Sequence, residues 1–581
     1  MPFDLKPCSQ ECKRECGADL SACATYGKLP ALLQEKCKDN LHLLQYLHSF
    51  PIDKLGMPEF YDKLSRNLKG KKDPNLIYPV SNEVFVHILS NPSDVRNHYV
   101  PIEPSFAGGQ EEILERVEEH LADFVDELEG VTDAAKRLEI IMSMLDRMVT
   151  VHKDGKAVSG GNGSINKFLK RNGNGKVKID VTPVQYRSLR YMLKRKLEGM
   201  GLLDPMICDT NIEDISCSGL GHIFVEHKVF GGLKSSIGFD THIDLDKFVV
   251  QLAEGIKHPV TFREPCVDAT LPDGSRINIV YGTDVSKRGS NFTIRKFSET
   301  PLSVIELIQF GALNYDMAAY LSLILQEGMN VWVSGETASG KTTLLNAMTT
   351  FIPPESKIVS IEDTPEVQVP HHNWIRGVTR GSSKNSESSE VSMFDLLKAA
   401  LRQRPNVIIV GEIRGAEGAV AFQAMQTGHA CMSTFHAASV SKLIQRVTGN
   451  PINVPKTYVD NLNVVVICQM VRRANGSTAR RITSINEIVS YDSVADAFSF
   501  IEVFNWNPVT DTFDFRGYQN SYLLEYKIAP KRGLSHEKRR DIYKVLKQRA
   551  EVLKRIHEQK ITDFYAVHAI LSNAYRQGQF R

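Results

Sequence analysis

No stretch of this chain approaches the roughly 18 consecutive apolar residues that a membrane-spanning helix needs, and the first sixteen residues lack the apolar core of a secretory signal. Both absences point to a cytoplasmic protein that meets a membrane only through partners or its surface. Charge of one sign is missing as well. Seventy Lys and Arg against 68 Asp and Glu leave a formal net charge of +2, so nothing global argues for a specific nucleic-acid partner, although local basic patches remain open. Among the ten cysteines there is neither the CxxC pair of zinc ribbons nor a ferredoxin spacing.

The cysteines are unevenly placed. Cys8, Cys12, Cys16, Cys23 and Cys37 crowd the first forty residues, and the first three recur every four positions. Four thiolates at Cys8, Cys12, Cys16 and Cys23 could ligate zinc or an iron–sulfur cluster; a disulfide or free-thiol appendage fits the same spacing. The other five, at positions 208, 217, 266, 431 and 468, are expected to be small buried thiols.

At 581 residues and 42% hydrophobic composition, the chain is globular and long enough for about three or four domains. One stretch organises the rest: VWVSGETASGKTTLLNAM, 331–348. Val331, Trp332 and Val333 read as a buried strand, and Leu344 to Met348 as the first turns of a helix. Between them, Gly335, Glu336, Thr337, Ala338, Ser339, Gly340, Lys341, Thr342 and Thr343 form a phosphate-binding loop. Its glycines let successive backbone N–H groups turn inward toward phosphate oxygens, and the helix N-terminus adds a favourable partial charge. Lys341 is placed for the β- and γ-phosphates and the Thr342 hydroxyl for Mg²⁺.

Residues 1–70 read as a Cys-rich extension and 71–175 as a helical region, with Pro-marked turns followed by an amphipathic pattern over Gln110–Val149 (Ile113, Val117, Leu121, Phe124, Val125, Leu128). Glycine and asparagine punctuate Asp154–Lys176. A helix from Thr182 and the strand-like HIFVEH, FGGLKSSIGF, RINIVYG and NFTIRKF make 176–298 an α/β domain. Thr300 and Pro301 read as N-cap and first helical residue, with Ser303 and Glu306 as a capping box, for a helix entering the nucleotide domain, 299–490. There, strands KIVSIED and NVIIVGEIR alternate with the helix FDLLKAALRQ, implying a mostly parallel sheet with its ligand at the strand C-termini. A Ser-rich loop is expected between Gly377 and Ser392. Residues 491–581 read as a hairpin, FIEVFNWNPVTDTF, and a helical tail with Ile542, Val545, Leu546, Arg549 and Leu553 on one stripe.

Hydrolysis needs carboxylates near the γ-phosphate. Glu362 ends one apolar strand and Glu412 another, with Gly411 standing where a standard Walker B motif has its Asp. His429 and His436 flank Thr434 at a further short strand and could sense the γ-phosphate by hydrogen bonding. Arg263, Arg276 and Arg295 are candidates for neutralising transition-state charge, though for any one alone a salt bridge is the simpler reading.

Jointly, GETASGKTT, SIEDTPE, LRQRPNVIIVGEIRG and TGHACMSTFHA resemble the secretion ATPases of type II and type IV systems, which include type IV pilus assembly motors. IEDISCSG, LPDGSRIN and FTIRKF resemble that family's domain before the motor. With NLIYPVSNEVFVHI and the helical tail they are similar to its archaeal branch, which drives archaeal pili and archaella. The resemblance covers roughly 70–581. It implies a RecA-like P-loop domain preceded by a smaller α/β, PAS-like domain, flanked by helical regions, in a homohexameric ring beneath a polytopic membrane platform protein that handles pilin- or archaellin-type subunits. ATP and Mg²⁺ would sit between the two domains. Glu362 and Glu412 would be the catalytic acids, His429 and His436 would couple nucleotide state to conformation, and Arg276 and Arg295 would aim at the nucleotide. A DNA-transfer or pilus-retraction ATPase, or a nucleotide-binding regulator without turnover, are the alternatives.

Overall fold

In the computed structural model the described residues are 25–65, 68, 70–91, 94–104, 110–121, 133–151, 169–171, 177–297, 300–380, 391–474, 476–578 and 580. Cys8, Cys12, Cys16 and Cys23, Phe124, Val125 and Leu128, and the Ser-rich 381–390 lie outside them. The chain divides into two units, Met1–Phe297 and Ser298–Arg581.

Among the described residues of the first unit, ten strands form one sheet: β1 (Glu59–Phe60), β2 (Asn75–Pro79), β3 (Phe85–Leu89), β4 (His98–Ile102), β8 (Ile212–Cys217), β9 (Gly221–His227), β10 (Gly231–Phe239), β11 (Cys266–Thr270), β12 (Arg276–Val280) and β13 (Asn291–Arg295). Their order is β1-β2-β3-β4-β10-β9-β8-β13-β12-β11. The expected division into a helical 71–175 and a separate 176–298 is therefore corrected, because β2, β3 and β4 belong to the same sheet as the later strands. They escaped the sequence pattern for a physical reason. Every residue of β3 and β4 is buried, so no polar alternation betrays them. Pro101, read as a turn mark, sits inside β4 but beyond the two residues, His98 and Tyr99, that pair with β10, where a missing N–H is tolerated.

A buried carboxylate ties the early strands to the later ones. Asp209 Oδ2 accepts from Tyr78 Oη at 2.5 Å and Tyr99 Oη at 3.1 Å, while Oδ1 accepts from the Asn211 backbone and side-chain amides. The expected helix over 110–149 is found as Gln110–Leu121 and Ala134–Met148, with Val149 opening β5 (Val149–Val151) of a three-stranded sheet completed by β6 (Leu169–Arg171) and β7 (Val177–Val181). The next helix, Pro183–Leu197, starts at a reciprocal Thr182–Gln185 capping box.

The second unit opens on a helix, Val304–Gln309, whose N-cap is Ser303 and not Thr300. The Ser303 hydroxyl accepts from Glu306 N and the Glu306 carboxylate from Ser303 N, which satisfies two otherwise orphaned donors. Its sheet, in the order β16-β15-β17-β18-β14-β19-β20-β21-β22, comprises β14 (Val331–Gly335), β15 (Ile358–Glu362), β16 (Trp374–Val378), β17 (Val407–Glu412), β18 (Ala430–Phe435), β19 (Val464–Arg472), β20 (Thr478–Asp492), β21 (Ala497–Asn507) and β22 (Thr512–Phe515). From β16 to β19 neighbours are parallel; from β19 to β22 they are antiparallel. This is the RecA-like arrangement, with the strand before the phosphate loop in the middle. The expected boundary at 490 falls inside β20, so the hairpin and the nucleotide domain share one sheet. Val331 and Val333 face one core, while Trp332, fully buried against Phe422 and Phe435, faces the other. In the tail helix, Ile542–Glu558, the residues Ile542, Leu546, Arg549 and Leu553 are buried. Burial brings the Arg549 guanidinium down to about 9.

Candidate functional site

β14 delivers the chain to the phosphate loop, and the helix Lys341–Thr349 leaves it. A Cβ on Gly335 would collide with the Cys468 carbonyl oxygen of neighbouring β19. Ala338 and Gly340 both take positive φ, 61° and 91°, and the Ser339 amide between them donates to Glu336 O at 3.4 Å. Ser339 fastens the loop by donating from Oγ to Glu336 O at 2.8 Å. Lys341 is buried, and its Nζ donates to the same carbonyl at 2.9 Å. Thr342 is half-buried, and among the described residues its hydroxyl makes no hydrogen bond. That leaves an oxygen suited to Mg²⁺, which takes one or two protein oxygens beside phosphate and water.

The adjacent strand β18 carries His436 to this loop. Ser334 Oγ donates to Ala437 O at 2.7 Å and accepts from Ala437 N at 3.1 Å, clamping the strand's exit against β14. Arg446 donates to the His436 carbonyl and covers the Phe435 ring. His436 Nδ1 stands 3.4 Å from Lys341 Nζ, and Nε2 stands 2.7 Å from Glu412 Oε1. A lysine can only donate, so Nδ1 is the acceptor and the ring proton sits on Nε2; the approach to Glu412 is a close ionic contact without hydrogen-bond geometry, and Glu412 Oε1 has no hydrogen-bond partner among the described residues. Burial first, then the Lys341 charge, holds the imidazole below its ordinary range, against the opposing pull of Glu412. Glu412 is also held by Arg414 Nη2 at 2.5 Å.

An irregularity in β17 aims Glu412. The β17–β18 register shifts between Val410 and Glu412, and Thr434 Oγ1 donates to Gly411 O at 2.6 Å across the bulge. A bulge re-aims the next side chain, here toward His436.

Glu362 ends β15, next to β17. Its carboxylate is 1% exposed. Oε1 accepts from the backbone N–H of Glu366 (2.8 Å) and Val367 (2.6 Å), and Oε2 from Arg376 Nε (3.2 Å). Burial pushes its carboxyl up to about 7, outweighing those donors. Arg376 was not singled out by sequence. It lies on β16, in register with Ser360, and only strand order reveals its proximity.

Not every expected residue joins this cluster. His429 precedes β18 and His436 follows it, so a strand of six residues separates them, roughly 20 Å at about 3.3 Å per residue. His429 and His436 therefore stand at opposite ends of β18, and His429 pairs with the Thr427 hydroxyl at 3.0 Å. Arg276 and Arg295 belong to the first unit, where they are exposed and directly opposite each other across β12 and β13. Arg263 is exposed in the turn before β11. Of the cysteines expected to be buried, Cys217, Cys431 and Cys468 are, whereas Cys208 and Cys266 are exposed. Among the described residues no group of three or more His, Cys, Asp or Glu is arranged to hold a metal, and no helix is long and apolar enough to cross a membrane.

A phosphate-binding loop with a buried lysine, and a strand-end carboxylate one imidazole away from it, is an arrangement suited to a nucleoside triphosphate. The chain belongs to the type II/IV secretion system ATPase family: residues 196–576 match the family described as type II/IV secretion system protein. An uncharacterized protein of Methanocaldococcus jannaschii is 44% identical over 548 residues, 94% of this chain and 97% of that relative. The type IV secretion system protein PtlH of Bordetella pertussis is 29% identical over 316 residues, 49% of this chain and 92% of PtlH. Among solved structures, the pilus retraction motor PilT with bound ADP is 19% identical, covering 50% of this chain and 82% of that one with a TM-score of 0.36.

Proposed function

We propose that the protein is an ATP-hydrolysing, homohexameric motor of the archaeal branch of its family. It would work on the cytoplasmic face of the membrane, through a polytopic platform protein, to assemble a type IV pilus-like or archaellum filament. The observation that carries the reading is the contact chain from Lys341 through His436 to Glu412. Phosphate entering the loop competes with the Glu336 carbonyl and His436 for Lys341, so occupancy of the loop is felt at Glu412 through one imidazole. Glu412 and Glu362 are the acids that position and deprotonate water; the loop amides and Lys341 stabilise the charge that develops on the phosphoryl oxygens. Mg²⁺, held by Thr342, would supply further charge neutralisation there. Arg276 and Arg295, opposite each other on β12 and β13, are the candidate cations for a polyphosphate, and which of the two acts across a subunit boundary belongs to the proposal. ATP binding and loss would then bias the relation between the two units, a ligand-driven two-state element.

The test is steady-state ATPase and ATP binding by Lys341→Ala and Glu412→Gln. The first is expected to lose binding; the second is expected to bind ATP and not turn it over. Undiminished turnover in both variants would defeat the proposal.

A further inference from the structure

The hairpin of β19 and β20 extends past the phosphate loop. Gly335, the last residue of β14, pairs with Cys468, and both hairpin strands continue beyond that level, with Met470 opposite Arg480 and Arg472 opposite Thr478. This end is rich in arginine, VRRANGSTARR, and the individual arginines have different surroundings. Arg481 is buried and bidentate with Asp511, both contacts at 2.8 Å. Arg473 donates from Nε to Ser477 Oγ at 2.9 Å.

Arg480 turns to the phosphate loop. Its Nε donates to Ala338 O at 2.9 Å, and a Cβ built on Gly340 would lie 3.3 Å from its Cδ. The guanidinium is exposed. Among the described residues it meets no carboxylate, and its two terminal nitrogens make no hydrogen bond.

We infer that Arg480 is a positioning residue of the nucleotide site, fixing the loop apex through Nε and offering its free guanidinium edge to the polyphosphate. The inference rests on the nucleotide-site reading above. Its physical basis has two parts. Ala338 holds a left-handed conformation, φ 61°, that is costly for a non-glycine residue, and a charged donor on its carbonyl helps keep it there. A second cation on the phosphate loop, with no carboxylate contact among the described residues, favours an anion there, and a planar guanidinium matches phosphate oxygens two at a time.

The full-length chain is to be assayed for binding of fluorescent ADP and for steady-state ATPase, as wild type, Arg480→Ala, Arg480→Gln, Arg480→Lys and Lys341→Ala, with melting of the nucleotide-free proteins. Arg480→Ala and Arg480→Gln are expected to weaken ADP binding and raise KM by about tenfold, the scale of one lost charge-assisted contact, with kcat and melting temperature little changed. Arg480→Lys, which keeps the charge, recovers part of the loss. Unchanged ADP affinity and KM in both neutral variants would overturn the inference. So would a loss that follows a lowered melting temperature, or one that lysine does not relieve, since either makes Arg480 a mere clip on the loop. If Lys341→Ala binds ADP as wild type does, the nucleotide-site reading itself fails, whatever Arg480 does.

Discussion

Gly411 faces the side chain of Glu362: a Cβ added to the glycine would come within 3.1 Å of Glu362 Cγ. The departure from a standard Walker B motif thus has a steric basis. The Glu362 Cβ and Cγ of the neighbouring strand fill the space that an Asp side chain at 411 would claim, and the acid of β17 moves one residue on, to Glu412. Gly411→Ala is expected to cost about 1–3 kcal/mol, the usual range for overpacking a tight site, read as a lowered melting temperature. Gly411→Asp should do more harm to turnover, because a second carboxylate beside Glu362 disfavours ionisation of both. An Asp variant with wild-type ATPase would refute the steric account.

His436 lies between Lys341 and Glu412, so removing it should act through both. His436→Ala is expected to reduce kcat by about 10²-fold, the low end of what a positioned proton-handling group contributes. Because the two residues act as a unit, the double variant His436→Ala, Glu412→Gln should be little worse than Glu412→Gln alone. Multiplicative losses in the cycle would show that the two work independently.

Glu362 makes a pH prediction whose sign follows from burial. Its carboxyl titrates near 7 in the folded protein against 4.5 ordinarily, so the fold favours the protonated form. The cost of ionising it is absent below about pH 4.5, grows as pH rises through the interval and is complete above about pH 7. Glu362→Gln, which keeps an acceptor and never ionises, is therefore expected to melt progressively higher than wild type between about pH 5 and 8. Conversely, if the ionised carboxylate handles water, wild-type kcat rises through about pH 7. A melting difference independent of pH would place the carboxyl back in its ordinary range.

What the sequence revealed of this site follows the distance over which each piece is built. Strand, glycines, lysine and helix of the phosphate loop lie within eighteen consecutive residues, so local chemistry was enough to read them. The Gly411–Glu362 and Arg376–Glu362 contacts depend on which strands are neighbours, and no local pattern carries that order. His429 and His436 looked like one pair because they are close along the chain; the extended geometry of β18 is what parts them. The doubled arginines around Asn475-Gly476 were a visible signal for Arg480, but only the register of β19 with β14 directs that hairpin to the loop.

The same dependence on strand order decides where the domain before the motor begins. A fragment of residues 176–298 would lack β4, leaving Lys234 and Ser235 of β10 without the strand they pair with. It would also lack Tyr78 and Tyr99, the two hydroxyl donors to buried Asp209 Oδ2. A stripped edge invites pairing with other chains, and a buried carboxylate deprived of donors costs about 1–3 kcal/mol or more. The fragment is expected to aggregate or to melt well below one spanning residues 25–298. In the 25–298 fragment, Tyr78→Phe should lower stability by about 1 kcal/mol and Asp209→Ala by about 3 kcal/mol, since the latter strands both tyrosines and Asn211 together. Denaturant unfolding of the 25–298 fragment and its variants measures each. A 176–298 fragment as stable as the longer one would mean that β2, β3 and β4 are an accessory to this sheet and not part of its foundation.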